Sequence, residues 1–206
     1  MGLVMLEKNG IRIRVAAEAV AEHVALGWST DVNFKLTEVQ WDDLRFPAAG
    51  INPPGAASDP TRDTSDGRLA FSPTADNLIA VQVQMPHAWL EGSSISPHIH
   101  WSPTTTHTGN VKWQLQYKIA EIGSAFPGSW TTDTALQAAS GVADTHQLVE
   151  FADIPMTGLH LSCMLLMIIS RLGADGADTY TGDAKLNEFD IHFQADALGS
   201  NEEYYK

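Results

Sequence analysis

Residues Val111 to Ile119 read VKWQLQYKI. Val111, Trp113, Leu115, Tyr117 and Ile119 share one parity, and Lys112, Gln114, Gln116 and Lys118 share the other. In an extended chain successive side chains point to opposite faces, so this period of two marks a strand with one face on a core and the other toward water. Working outward, Leu78 to Met85 (LIAVQVQM) sets Val81 and Val83 against Gln82 and Gln84, and Ile95 to Trp101 is a further candidate strand. Downstream, Leu148 to Ile154 carries a weaker pattern. Leu161 to Leu172 is apolar on both parities, as expected of a central strand covered on both sides. Leu186 to Ala195 (LNEFDIHFQA) alternates again, but Leu186 shares its parity with Glu188 and Asp190 while Phe189 and Phe193 take the other, so its inward face is ambiguous. Turns rich in Gly, Ser, Thr, Asp and Pro separate these runs. Six to eight strands with no helical period between them predict a mainly β fold, an antiparallel jelly roll or β-sandwich, rather than a parallel α/β sheet.

Toward the N-terminus, Leu36 to Leu44 (LTEVQWDDL) reads as the first strand of this domain. Phe46 to Asn77 follows, with Pro47, Pro53, Pro54, Pro60 and Pro73 among Gly50, Gly55 and Gly67. That density argues against a regular helix or a central strand, and predicts a segment that wraps a surface or reaches a neighbour. Residues 1–35 differ in kind. Ile11, Ile13 and Val15 alternate with Arg12 and Arg14, a short strand, and Ala16 to Leu26 (AAEAVAEHVAL) reads as a helix stopped by Gly27. Such a helix is marginal alone and is expected to dock on its own domain, a sister subunit or a partner. The predicted organisation is a docking element over 1–35, a sandwich domain over 36–200 and an exposed tail over 201–206.

Hydrophobic residues make up 44% of the 206 positions and charged residues 18%, a balance that supports one sizeable core. The net charge of -13, with Lys and Arg totalling 12, opposes binding to nucleic acid or an anionic membrane. No apolar run reaches the roughly 18 residues of a membrane-spanning helix. The opening MGLVMLEKNGIRIRV lacks the pattern of a secretion signal, so the chain is expected to be made and kept in the cytosol until used. Cys163 is the one cysteine, which leaves no intrachain disulfide.

Motifs for nucleophile elbows, phosphate loops, dinucleotide turns and zincin helices are missing. Cys163 lies within an apolar run, a poor setting for a thiolate. The sharpest chemical signal is His98 and His100, two apart on a predicted strand and so on one face, where two imidazoles can ligate a divalent ion. Gly92 to His100 fits the G-x5-H-x-H opening of the cupin metal motif. The glutamate that should follow is replaced by Ser102 to Thr106, and only Pro155, Gly158 and His160 echo the later motif. The sequence therefore assigns no catalytic, cofactor-binding or metal residue. It reads His98, His100 and Trp101 as lining a sheet face, with a cupin-like metal enzyme as the alternative. Asp42, Asp43, Asp59, Asp63, Asp66, Asp175, Asp178 and Asp183 read as solvated loop carboxylates. A calcium site between Asp175 and Asp183 lacks the spacing of an EF-hand loop. Trp89, Trp101, Trp113 and Trp130 could stack on sugars, a third reading as a carbohydrate-binding module, but the core is the expected place for them.

Several segments together resemble a group of tailed-bacteriophage virion structural proteins. They are Trp41-Asp42-Asp43-Leu44-Arg45 with the proline-rich stretch after it, the block Met85 to Trp101 (MPHAWLEGSSISPHIHW), the strand Val111 to Tyr117, and the ending Glu188 to Ser200 (EFDIHFQADALGS). The resemblance spans about residues 36 to 200. The N-terminal strand-helix ending in Gly27-Trp28 is similar to segments that open other phage head and neck proteins. The resemblance implies a non-enzymatic virion component, a capsid decoration protein or head-fibre base first and a collar or tail component second. It implies a homo-oligomer, with a trimer as first candidate, in contact with major capsid, portal or collar proteins. It brings no catalytic residues.

Overall fold

The computed structural model describes residues 3–9, 11–28, 35–200 and 202–204. The first elements are an antiparallel hairpin of β1 (Leu3–Lys8) and β2 (Ile11–Ala16), a 3-10 turn at Ala17–Ala19 and the helix α1 (Val20–Ala25). The sequence pattern gives no sign of β1, and the helix is shorter than expected. Ala16 is held in the hairpin opposite Leu3, and the helix start at Ala19 has no side-chain cap to extend it. Gly27, at φ 84°, ends the helix as expected, its N–H reaching the Val24 carbonyl at 2.9 Å. No residue of α1 is buried. Leu6 of β1 is buried but stands outside the main core cluster. Residues 29–34, just before the expected domain boundary, lie outside the described residues, as do Asn201, Tyr205 and Lys206 of the expected tail.

Ten strands follow among the described residues: β3 (Lys35–Pro47), β4 (Thr61–Arg62), β5 (Leu69–Phe71), β6 (Asp76–Gln84), β7 (Ser96–Pro103), β8 (Asn110–Ala120), β9 (Thr131–Ala138), β10 (Gln147–Glu150), β11 (Met164–Leu172) and β12 (Ala184–Ala197). One sheet has the order β6-β11-β8-β9. The other runs β10-β7-β12-β5-β4, with β3 also paired to β12, and every pairing is antiparallel. The mainly β, antiparallel sandwich expected from the sequence is the observed fold. No helix among the described residues is long and apolar enough to cross a membrane.

The two sheets meet through the predicted parities. Val111, Trp113 and Leu115 of β8 are buried, and Trp113 packs edge-on against Trp101 of β7 and Phe71 of β5, with ring centroids 6.2 and 5.3 Å apart. Trp89 joins them in the core. Each large ring removes about 150–250 Å² of surface from water, so these aromatics dominate the apolar burial that holds the layers together. The strand β11 is central, between β6 and β8, but only its Leu165, Met167, Ile169 and Arg171 parity faces the core. Met164, Leu166 and Ile168 on the other side are half-buried, so the second face is only partly covered.

The proline-rich segment does more than wrap a surface. It contributes β5, whose Leu69 and Phe71 are fully buried and which pairs with the central strand β12. Arg62 gathers the turns before it by donating to the carbonyls of Ala48, Gly67 and Ile51. The edge strand β9 carries no apolar alternation that would mark it in the sequence, because small and polar residues make up most of it.

The ambiguous register of β12 has a local cause. Leu186 pairs with Trp101 and Glu188 with His100, so Asn187 is an extra residue, a β-bulge. Before it the even positions Ala184 and Leu186 are buried. After it the odd positions Phe189, Ile191, Phe193, Ala195 and Ala197 are. The change of parity turns Glu188, Asp190 and His192 to the outer face.

A second buried feature clamps the layers. Arg171 and Asp178 have side chains with no solvent exposure and pair bidentately at 2.9 and 2.8 Å. The remaining guanidinium donors reach the carbonyls of Phe71, Gly182 and Tyr180 at 2.6–2.9 Å. All five N–H groups of a buried arginine are thereby used, tying β5, β11 and the 178–182 turn together. Asp178 is thus a buried partner, contrary to the expectation of a solvated turn carboxylate. Asp175 pairs with Lys112 at 2.6 Å, so Asp175 and Asp178 of this turn both face protein cations.

Candidate functional site

The outer face of the β10-β7-β12-β3 layer carries a row of polar residues in register: Glu150, His98, Asp190 and Arg45. The neighbouring row holds Leu148, His100 and Glu188, and the row on the other side Ser96, His192 and Asp43. Two strand periods and one bulge therefore bring residues from four strands to one place. His98 and His100 share a face, as their spacing predicts, with ring centroids 5.0 Å apart.

Although it lies on the outer face, the centre of this array is dry. His98 and Asp190 are 3% and 5% exposed. The His192 ring covers His98 at 4.2 Å between centroids, and His192 itself contacts Asp43 at 3.1 Å. Grooves flank the centre. One, of about 520 Å³, is lined by Trp41, Ser96, His98, Glu150, Asp153 and His192. The other, of about 470 Å³, is lined by Asp43, Arg45, His100, His146, Glu188 and Asp190.

Asp190 is the carboxylate that the sequence around His100 lacks, supplied across the sheet from β12. Its Oδ1 lies 2.5 Å from His98 Nε2, and its Oδ2 lies 3.4 Å from His100 Nε2. Close as it is, the buried Oδ1 makes no aligned hydrogen bond. Arg45 does not serve as its counter-ion, because its guanidinium pairs bidentately with Glu188, both contacts at 2.7 Å.

The far sides of both rings are already held. His98 Nδ1 lies 3.3 Å from the Ser96 carbonyl, which can only accept, so the proton belongs on Nδ1. His100 Nδ1 lies 2.7 Å from His146 Nε2. Both Nε2 atoms are thereby turned toward the carboxylate. Burial disfavours charge on His98, but pairing with Asp190 at 2.5 Å, a short and poorly aligned hydrogen bond, and the charge of that carboxylate, with the Ser96 carbonyl and Asp43 behind it, outweigh burial and raise its pKa. Burial, joined by the neighbouring His98 and His146, lowers that of His100 against the pull of Asp190 and Glu188.

Of the residues that the sequence singles out, His98 and His100 come together, whereas His160 stands apart beside Glu121 at 3.4 Å. Asp190, His146 and His192 are not marked by any sequence motif. Asp190 and His192 share the outward parity of Glu188-Phe189-Asp190-Ile191-His192, a signal that the bulge obscures. His146 lies in a loop, where no periodicity could flag it. Trp89, Trp101 and Trp113 are core residues, which leaves Trp130, over which Lys118 Nζ lies 4.8 Å from the ring. The exposed ring on the site face is Trp41, 61% exposed and outside the set of tryptophans expected to stack on sugars. Cys163, immediately before β11, is buried, and burial, with Glu121 and Glu91 nearby, pushes its thiol up to about 12.

No family model and no curated protein matches the chain. Among solved structures it is similar to the CBM36-1 domain of a multidomain xylanase from the hindgut metagenome of Trinervitermes trinervoides, with 9% identity over 73% of this chain and 96% of that one and a TM-score of 0.42. A family 35 carbohydrate-binding module from an environmental isolate shows 12% identity over 77% and 90%, with a TM-score of 0.40. The infectious bursal disease virus Gx strain structure shows 9% identity over 81% and 44%, with a TM-score of 0.29. These distant likenesses assign no ligand to the face described above.

Proposed function

We propose that the chain is a non-enzymatic structural component of a tailed-bacteriophage virion, a capsid decoration or head-fibre protein that assembles with copies of itself and with other virion proteins. The observation that carries this reading is the N-terminal hairpin and helix. The helix buries none of its residues, and Ile11, Val24 and Leu26 are exposed. Three large apolar side chains left in water on one small element are what a docking segment presents before it meets its partner. The segments over residues 36 to 200 that resemble virion proteins support the same reading, and a collar or tail position is its variant.

Size-exclusion chromatography with light scattering tests the assembly. The full chain is expected as a multimer that a Val24→Glu, Leu26→Glu double substitution weakens. A monomer unaffected by that change would remove the docking role. Mass spectrometry of purified particles from a phage encoding the chain tests the location, and its absence from the particles would reject a virion role.

A second reading, glycan recognition, is favoured by the exposed Trp41 beside the groove lined by Glu150, Asp153 and His192. An exposed indole flanked by carboxylates suits a sugar ring, apolar on its face and hydroxylated at its rim. Fluorescence titration with a broad glycan panel, repeated on Trp41→Ala, tests it. A panel without response would discard it.

A further inference from the structure

We infer that His98, His100 and Asp190 form a binding site for one divalent transition-metal ion, zinc in the first instance. The three offer ligand atoms that all lie within 4.8 Å of one another. Tetrahedral ligands about 2.0–2.2 Å from zinc stand about 3.4 Å apart, the separation found between His100 Nε2 and Asp190 Oδ2. The site comes from two adjacent antiparallel strands, and His98 Nε2 and Asp190 Oδ1, 2.5 Å apart, must part to admit an ion between them.

The second observation is the buried carboxylate, whose close partner His98 is poorly aligned with it. Asp190 is only 5% exposed, its Oδ1 has no aligned donor, and the nearest arginine is taken by Glu188. The outer hydrogen bonds turn the same way. The Ser96 carbonyl fixes the proton of His98 on Nδ1, and His146 holds Nδ1 of His100. What remains inside is two Nε2 atoms facing one carboxylate, a set that a metal ion joins in place of the proton between His98 Nε2 and Asp190 Oδ1. Imidazole ligands with their other nitrogen held by a second partner are the usual arrangement at a zinc site. Two nitrogens and one carboxylate oxygen suit zinc or a neighbouring transition metal, while calcium and magnesium prefer oxygen throughout. Bound there, the ion clips β7 to β12 and leaves a fourth position for water or for a group from another chain.

The test uses the full chain, stripped with a chelator and titrated with zinc against a chromogenic zinc indicator, with a cobalt(II) spectrum on the same sample. One zinc per chain is expected, with visible cobalt bands of tetrahedral intensity and a melting temperature raised by roughly 5 °C at a 100-fold excess over Kd. His100→Ala and Asp190→Asn should each weaken binding by at least about 10-fold, and His107→Ala and His160→Ala should leave it unchanged. Near-UV circular dichroism checks that each variant is folded, and His100→Gln serves where His100→Ala is not. Calcium in excess should not displace the zinc. Absence of stoichiometric zinc on the wild-type chain, or zinc binding that survives both His100→Ala and Asp190→Asn, would overturn the proposal.

Discussion

Two buried polar clusters divide the labour of this molecule. Between the sheets, Arg171 and Asp178 are wholly enclosed, and every guanidinium donor has an acceptor at 2.6–2.9 Å. On the outer face, His98 and Asp190 are nearly as dry, yet Asp190 Oδ1 lacks an aligned donor. A satisfied cluster is already at its destination and contributes to holding the fold. An unsatisfied one is costly to keep unless something else completes it. The contrast separates a structural clamp from a site.

The largest effect should come from breaking the clamp. Arg171→Leu leaves the buried Asp178 without its counter-ion, holding only the Lys112 backbone N–H at 3.0 Å, and strands the carbonyls of Phe71, Tyr180 and Gly182, for a loss of about 3–5 kcal/mol in urea unfolding. Replacing both members, as Arg171→Met with Asp178→Leu, should recover part of that loss. If Arg171→Leu costs less than about 1 kcal/mol, the clamp reading fails. Asp190→Asn sharpens the other side of the comparison. It preserves shape but removes the charge that faces His98 at 2.5 Å, a contact with poorer alignment than any in the clamp, so the metal-free protein should lose about 2 kcal/mol, less than Arg171→Leu. A loss as large as that of Arg171→Leu would make both clusters structural.

Chemical accessibility gives a subtler distinction. Cys163 is buried with its thiol pushed up to about 12, so thiol reagents should leave it unmodified at about pH 8 until denaturant is added. Rapid labelling of the native protein would show that this end of β11 opens. The smallest effect concerns the exposed network of Asp66 with Arg68 and Lys185. The hydrogen bond from Arg68 comes first among the causes that lower Asp66 to about 2. A depressed carboxylate contributes above its unfolded pKa and loses that contribution as pH falls through the folded value. Asp66→Asn should therefore flatten the decline of melting temperature between roughly pH 4 and pH 2. An unchanged slope would show that solvent screens the pair completely.

What can be read from the sequence follows from which forces are periodic. Val111 to Ile119 is legible because a strand of fixed register repeats every two residues, and β8 has that parity. The histidine pair is legible for the same reason, since His98 and His100 share one strand. Asp190 is not, because its neighbours in space come from β7 and β3, and pairing between distant strands leaves no mark on local alternation. Arg171 stands near the end of a mostly apolar run, where nothing local shows that it is buried. Its partner lies seven residues on, in a turn that looks solvated. The short β5 is hidden by proline and glycine density, which describes the turns around it and not the three residues that join the sheet.

The extra residue at Asn187 makes the 14 residues of β12 a message in two phases. Read from Ala184, the even letters belong to the interior. Read after Asn187, the odd ones do. Substitution can edit either phase a letter at a time, and the bulge keeps the two in step: were Asn187 drawn into the ladder as an ordinary paired residue, the frame would shift for the rest of the strand, sending Phe189, Ile191 and Phe193 toward solvent and Asp190 and His192 toward the apolar interior. A variant lacking Asn187 should therefore keep every face of the strand, since Leu186 and Glu188 already stand opposite neighbouring residues of β7, whereas loss of a residue further on, within Phe189 to Phe193, would reverse the faces of all that follow.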